Sequence, residues 1–383
     1  MIDALASSLK GLRVIDASRV LAGPYAGQML ADLGADVIKV EQPDSGDETR
    51  GWGPPYVGDL SAYFLACNRG KRSIVLDLRT SDDRDLWNKL IARADILVEN
   101  FKPSSIKQLN VDAATLHKIN PQLIICSLSG FGRSGSFAGR PGYDFVVQAM
   151  SGMMAATGPK AGPPYKFGVA IADIVTGLYA SIAILAALRH RLTTGMGLAI
   201  ELSLMDCAVA TMANVGQSYV STSKVPTRQG NAHAQIVPYE LFASADGWIV
   251  LAVGNDQQWQ RFCSGVGRHD LATDGRFLTN DARVQRREDL VPLVAEIMRT
   301  KSTADWEHLL GTMGVPCGPI WDLQTLMTSK LAKERNFVVK ATQADGTEVD
   351  LLRSPIVRNP GPLRAPPALD ANRDEIVRDW LAP

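Results

Sequence analysis

Short β-branched runs alternate with segments of helical spacing through the first third of the chain. "LRVIDAS" (Leu12–Ser18) has the apolar run of a buried strand, and "AGPYAGQMLADLGA" follows with the 3.6-residue spacing of a helix. Pro24 suits the first turn of that helix and Gly34 its end. "DVIKVEQ" (Asp36–Gln42) then reads as a second strand. Strand, helix and strand within about thirty residues form a βαβ unit, which requires parallel strands. The alternation continues with "SIVLDL" as strand, "DDRDLWNKLIARA" as helix, "DILVEN" as strand and "PQLIICSLSGFG" as a further strand. The expectation is an α/β fold with a doubly wound parallel sheet, whose ligands sit beyond the carboxyl ends of the strands.

The pattern then changes. "GVAIADIVTGLYASIAILAALRHR" (Gly168–Arg191) is almost wholly apolar or small, and Ile174, Leu178, Ile182 and Leu185 fall on one helical face. Its longest apolar run, Ile174–Leu188, is short for a membrane span and rich in Ala, so a buried helix is expected. "SYVSTSKVPTRQGNAHAQIVP" is polar with Gly and Pro and reads as a linker. "YELFASADGWIVLAVG" predicts a hairpin turning at Asp246-Gly247. Helices are expected near 256–266, 287–299 and 303–312, the last with a capping signal in Ser302 and Asp305. The Pro-rich end, from "LLRSPIVRNPGPLRAPPALD", is expected to run extended over another surface before a short last helix.

Length and composition narrow the class. A chain of 383 residues exceeds one compact core, and 46% hydrophobic with 21% charged residues is ordinary globular composition. Forty basic residues balance forty acidic ones, so no global field points to nucleic acid or an anionic membrane. The five cysteines are scattered and lack any C-x-x-C pair, which speaks against a disulfide framework or zinc site and for a reducing compartment. "MIDALASSLKGLRVID" has no long apolar core after a basic start, so no signal peptide is expected and the cytoplasm is the expected location.

Candidate chemistry is sparse. The first βα loop, "ASRVLAGPYAG", lacks a dinucleotide fingerprint, though a helix N-terminus after a strand binds anions through free N–H groups. Arg69, Lys71, Arg72 and Arg79 flank one expected strand, and Lys102 and Lys107 follow the next, where a doubly wound sheet holds phosphates. Ordinary solvated charge accounts for such residues equally simply. The five histidines show no metal-ligand spacing; His233 stands out only for its loop, "QGNAHAQ". No metal site is expected. Asp173 is the isolated carboxylate of the long apolar stretch. As an N-cap or first-turn residue it would contribute about 1 kcal/mol; facing a cleft, it would be a nucleophile, ionised near pH 7 from an ordinary pKa of about 3.9.

"LAGPYAGQMLADLGADVIKVEQPDSGDETRGWGP", "NRGKRSIVLDL", "ADILVENFKP", "GYDFVVQAMSG", "GVAIADIVTGLYA" and "GVPCGPIWDL" occur in this order. Together they resemble family III CoA-transferases, of the formyl-CoA and carnitine CoA-transferase type, over almost the whole chain. The resemblance implies a Rossmann-like large domain over 1–215 and 325–383, a smaller α+β domain over 216–324, and two chains interlocked as a homodimer. It implies Asp173 as catalytic nucleophile, passing through an aspartyl anhydride and an aspartyl-CoA thioester. CoA-contacting positions fall on Val20, Leu76, Arg79, Asn100, Phe101 and Tyr143. Basic residues of some members are replaced by Gln42 and Gln108, with Lys107 as the candidate to compensate for the second. Leu21 replaces a polar Gln of the formyl type and argues against formyl or oxalyl specificity. The family's glycine-rich loop corresponds to "QGNAHAQ", with Gly230, Asn231 and His233, and Gly230-Asn231 is the candidate source of oxyanion donors.

Coenzyme A thioester is then a substrate, and no prosthetic group is implied. Arg19, with His233, is a candidate to hold a second carboxylate, which favours a dicarboxylate such as succinate as the donor acyl group. Two rivals remain at this level. An α-methylacyl-CoA racemase moves a proton with a His that falls on Tyr143 here. A non-catalytic nucleotide-binding module would use Asp173 only as a cap.

Overall fold

The computed structural model describes residues 3–344 and 346–382, and the chain divides into two compact units. The larger holds the chain up to Met154, Lys166–Lys224 and the segment from Asn336 onward; the smaller holds Ala155–Tyr165 and Val225–Arg335. These borders lie at 224/225 and 335/336, against 215/216 and 324/325 read from the sequence.

The larger unit is built on β1 (Arg13–Ala17), α1 (Ala22–Asp32), β2 (Asp36–Glu41), β3 (Lys71–Val75), α2 (Ser81–Ile91), β4 (Ile96–Glu99), α3 (Pro103–Leu109) and β5 (Ile124–Ser129). It continues through α4 (Asp144–Met150), α5 (Ile171–Thr194), β6 (Ala199–Ser203), α6 (Leu204–Thr211) and α7 (Ala213–Thr222). Six strands form one sheet in the order β3-β2-β1-β4-β5-β6, every adjacent pair parallel. Successive strand residues face opposite sides, so Val14, Val37, Ile96 and Cys126 join one core, which includes Ala26, Leu30 and Ile184 from helices. Ile15, Ile38, Leu97 and Ile125 join the other, with Trp87 and Leu90 from α2. Burial on both faces explains why these strands read as continuous apolar runs. The strand order reverses between β1 and β4, which opens a crevice at their carboxyl ends.

Three expectations are corrected here. Strand β3 starts at Lys71, before the run "SIVLDL", because Lys71 and Arg72 are buried strand residues with ion partners. The linker starts later than its polarity suggests, since α7 carries "SYVST" as helix. Helix α5 buries a stripe of small residues instead of its aliphatic one: Ala172, Thr176, Gly177, Ala180, Ser181 and Ala187 are buried, while Leu178, Ile182 and Leu185 are exposed at 38%, 63% and 39%. Small residues let α1 approach closely; a Cβ on Gly177 would lie 2.7 Å from the Ala22 carbonyl oxygen. By length and composition α5 is long enough to cross a membrane; in this fold it packs against α1, β5 and β6 as a core helix.

The smaller unit contains β7 (Tyr239–Ala243) and β8 (Trp248–Ala252) as the expected hairpin, α8 (Asp256–Gly265), α9 (Arg287–Met298), α10 (Thr303–Thr312) and β9 (Cys317–Pro319). Its sheet is antiparallel in the order β9-β8-β7, and Trp259, Phe262, Phe277 and Trp306 anchor its core. Ser302 caps α10 by accepting from the Asp305 N–H (3.1 Å), as its spacing suggests. The C-terminal segment adds a hairpin the sequence reading missed, β10 (Val338–Thr342) and β11 (Glu348–Leu352), then α11 (Arg373–Leu381). Asp370 and Asn372 accept the Val75 and Ser73 N–H groups (2.7 and 3.0 Å), so the tail satisfies the open edge of β3. All five cysteines are free thiols.

Candidate active site

The crevice at the strand reversal is lined by the two loops that leave β1 and β4. The first loop is fixed from beneath by buried charge. Asp16 accepts from the Ser18 N–H (3.0 Å) and its hydroxyl, and pairs with Lys71 (2.7 Å). Lys39 donates to the Ser18 carbonyl (3.0 Å) and pairs with Asp47 (2.9 Å), which accepts the Val20 N–H (3.3 Å). From the neighbouring loop, Asn100 accepts the Arg19 N–H (3.1 Å) and donates to its carbonyl (2.9 Å). Val20 is thereby held at φ +73°, a left-handed conformation that a β-branched residue adopts only when its surroundings impose it.

Two cavities flank this loop pair and share Arg19, Asn100, Phe101 and Lys102 as walls. One, of about 510 Å³, contains Val20, Tyr143 and Asp173. The other, of about 530 Å³, contains Leu76, Arg79, Gln42 and Gln108. Residues scattered from 19 to 173 in sequence are thus brought to one trench within the larger unit. Arg79 is exposed and pairs with Asp77 (2.7 Å) at the outer cavity. Lys107 is exposed on α3 outside both linings, and Leu21 is buried at the N-cap of α1, also outside them.

The other expected cations are engaged. Arg69 is buried on Asp32 (2.5 Å), Lys71 on Asp16, and Arg72 on Asp36 and Asp379 (2.5 and 2.9 Å). They tie the sheet to its surroundings instead of facing a phosphate. Arg133 and Arg140, absent from the sequence reading, line the inner cavity: Arg133 forks onto Glu99 (2.6 and 2.7 Å), and Arg140 lies over the Phe131 and Phe137 rings.

Asp173 lies in the first turn of α5 and is 8% exposed. Capping is done by a different residue. Asp144, at the start of α4, accepts the Ala172 and Asp173 N–H groups (2.8 and 3.4 Å) through one oxygen. Burial first, and then the like charge of Asp144, push the Asp173 carboxyl up from 3.8 to about 7; the Ala22 N–H offsets part of this. The sequence-based expectation of a freely ionised aspartate is therefore corrected. Burial, with Asp173 among the nearby negative charges, also pushes the Tyr63 phenol well up. Nothing in the spacing of Asp144, Tyr63 and Asp173 signals that they converge.

In the smaller unit the "QGNAHAQ" loop is tied to its own neighbours. Gly230, at φ +62°, donates its N–H to the Gly158 carbonyl (3.0 Å), so the donor expected there is engaged. His233 gives its N–H to Tyr239 (2.9 Å), accepts the Gln235 N–H at Nδ1 (3.1 Å), and offers its carbonyl to Arg287 (2.6 Å). Asn231 lines a separate cavity of about 350 Å³ with Glu240 and Arg287. Among the described residues no group of three or more His, Cys, Asp or Glu is placed to hold a metal ion.

A family model described as CoA-transferase family III matches residues 9–373. A succinate–glutarate CoA-transferase of Agrobacterium fabrum is 44% identical over 362 residues, covering 93% of this chain and 90% of the relative. A succinyl-CoA:glutarate CoA-transferase of Mus musculus is 37% identical over 377 residues, covering 97% of this chain and 86% of the relative. The crystal structure of a CAIB/BAIF family protein from Brucella suis superposes with a TM-score of 0.85 at 42% identity, covering 98% of this chain and 99% of that one.

Proposed function

The chain belongs to CoA-transferase family III, and on that premise we propose that Asp173 is the nucleophile that moves CoA from a dicarboxylyl-CoA thioester to a free dicarboxylic acid. The single observation that carries the residue assignment is the burial of this one carboxylate in the wall of the inner cavity, with its pKa raised to about 7. A more basic carboxylate is a better nucleophile, and esterifying it removes a buried charge held near a second one.

The chemistry runs in balanced steps. An Asp173 oxygen attacks the thioester carbonyl carbon; the carbon–sulfur bond breaks and CoA leaves as thiolate, giving a mixed anhydride. The thiolate attacks the Asp173 carbonyl carbon, and the donor acid leaves as carboxylate, giving an aspartyl-CoA thioester. The acceptor carboxylate attacks this thioester and releases the thiolate. Thiolate attack on the acceptor's carbonyl in the second anhydride yields the new acyl-CoA and regenerates Asp173. Each addition forms an oxyanion, for which a fixed donor is worth about 3 kcal/mol.

The trench suits an extended thioester. The inner cavity, with Val20 and Tyr143, takes the acyl end; the outer one, with Leu76, Arg79 and Lys102, takes the nucleotide. Asn100 and Phe101 lie at the join. Contacts to that distant nucleotide are usable at the reacting centre. The names of the two relatives support succinyl and glutaryl groups as substrates, and Arg19 is the proposed contact for the distal carboxylate. None of the described residues lining the inner cavity is a histidine, which disfavours the racemase reading.

We further propose an interlocked homodimer in the cytoplasm, with the larger unit as the Rossmann-like domain and the smaller one as the second domain. The exposed Leu178, Ile182 and Leu185 of α5 support a second copy as the cover of this apolar stripe. The test is to turn the enzyme over with succinyl-CoA and glutarate, quench, and weigh the peptide containing "AIADIV". An acyl or CoA adduct on Asp173, lost with hydroxylamine and absent in Asp173→Ala, is expected. Full exchange by that variant sinks the assignment.

A further inference from the structure

Helix α5 begins without a cap of its own. Its N-cap is Ala170, which has no side-chain acceptor. The missing acceptor comes from a residue far earlier in the chain. Asp144 takes the Ala172 and Asp173 N–H groups on one carboxylate oxygen (2.8 and 3.4 Å) and the Gln148 amide on the other (2.6 Å). Gln148, 1% exposed, uses its own oxygen to accept the Phe167 N–H (2.8 Å). Two side chains one turn apart on α4 therefore hold both the segment leading into α5 and its first turn.

From this arrangement, and resting on the reading of Asp173 as nucleophile, we propose that Asp144 is a positioning residue for the transfer reaction. It seats the turn that carries Asp173 and places a second negative charge beside it. These two effects are separable. The seating needs only an oxygen acceptor, whereas the electrostatic effect needs the charge. While Asp173 is a carboxylate the two anions repel; once it is acylated or thioesterified the repulsion is gone. Asp144 thus favours the covalent intermediates over the resting carboxylate and delays ionisation of Asp173 to higher pH.

Other groups face the same turn. Helix α1 contributes the Ala22 N–H to Asp173 and packs Tyr25 against Gly177 one turn on, the segment Ala62–Leu65 contributes Tyr63, and α6 places Cys207 against Thr176. From the cavity side, Arg19, Glu48, Lys102, Arg133, Arg140 and Tyr143 complete the charged and titratable surroundings. Among these, Asp144 alone accepts the N–H of Asp173 among the described contacts, and it follows burial directly as the cause of the raised carboxyl.

The test compares Asp144→Asn, which retains an acceptor oxygen, with Asp144→Ala, which does not. Initial rates with succinyl-CoA and glutarate are measured from about pH 5 to 9, together with adduct formation on Asp173 by mass spectrometry. In the wild type, the acidic limb of kcat/KM is expected near pH 7. In Asp144→Asn it moves down by about one unit or more, so that the fraction of maximal rate kept near pH 5.5 rises about tenfold. Asp144→Ala shows the same shift with a lower maximum, because the turn is no longer seated. An Asp144→Asn profile that keeps the wild-type limb, with a normal adduct on Asp173, overturns this proposal and leaves the nucleophile intact. Absence of the adduct in the wild type overturns the underlying reading instead.

Discussion

Replacing Asp173 by Asn should make the protein more stable above neutral pH while it abolishes transfer. The carboxyl is 8% exposed and its pKa rises from 3.8 to about 7 on folding, chiefly through burial and then through Asp144. That shift corresponds to roughly 4 kcal/mol against the ionised form, an upper figure for a group with little solvent screening. Its pH dependence is fixed in sign. Below about pH 4 folded and unfolded chains both hold the proton, and the substitution changes little. Between about pH 4 and 7 only the unfolded chain releases it, so the wild type loses about 1.4 kcal/mol per pH unit relative to the variant. Above about pH 7 the gap is constant. Thermal unfolding at fixed protein concentration, followed by circular dichroism from about pH 5 to 8.5, should show a difference that widens to roughly 5 °C and then levels. A difference that is flat with pH, or a variant less stable at pH 8, refutes the account of a buried carboxylate kept at a cost for its chemistry.

Other substitutions probe the frame around the trench. Arg69→Ala leaves Asp32 buried without its partner and should destabilise the larger unit by about 3–5 kcal/mol; urea unfolding at neutral pH checks this, and an unchanged midpoint counts against it. Gly177→Ala puts a methyl group 2.7 Å from the Ala22 carbonyl oxygen, so α1 and α5 must part, at about 1–3 kcal/mol and with loss of transfer rate. Calorimetry and a rate assay on the same sample read both effects. Arg79→Ala removes an exposed cation of the outer cavity and should lower kcat/KM for acyl-CoA by about tenfold at low salt. The same loss with a thioester lacking the nucleotide argues that Arg79 acts elsewhere.

Much of the architecture was legible in the residues. The alternation of apolar strands and amphipathic helices gave the parallel sheet because both periodicities are local properties of the chain. The hairpin at Asp246-Gly247 and the cap at Ser302 were legible for the same reason. Ordered motifs around Asp173 pointed to the family, and that reading agrees with the match over residues 9–373. Strand β6 and the β10–β11 hairpin escaped because charged residues interrupt their apolar positions and each owes its place to a neighbour, not to its own pattern.

Only the tertiary structure decided which cations line the trench. Arg69, Lys71 and Arg72 look the same as Arg79 and Lys102 in the sequence, yet the first three are buried on carboxylates that come from other elements. It also reversed the faces of α5, since the packing of α1 selects for small side chains and leaves the aliphatic ones outside. Finally, it set the acidity of Asp173. A residue type fixes the ordinary pKa, but burial and a neighbouring charge are relations in space. Asp144 stands 29 positions away along the chain and one hydrogen bond away in the fold.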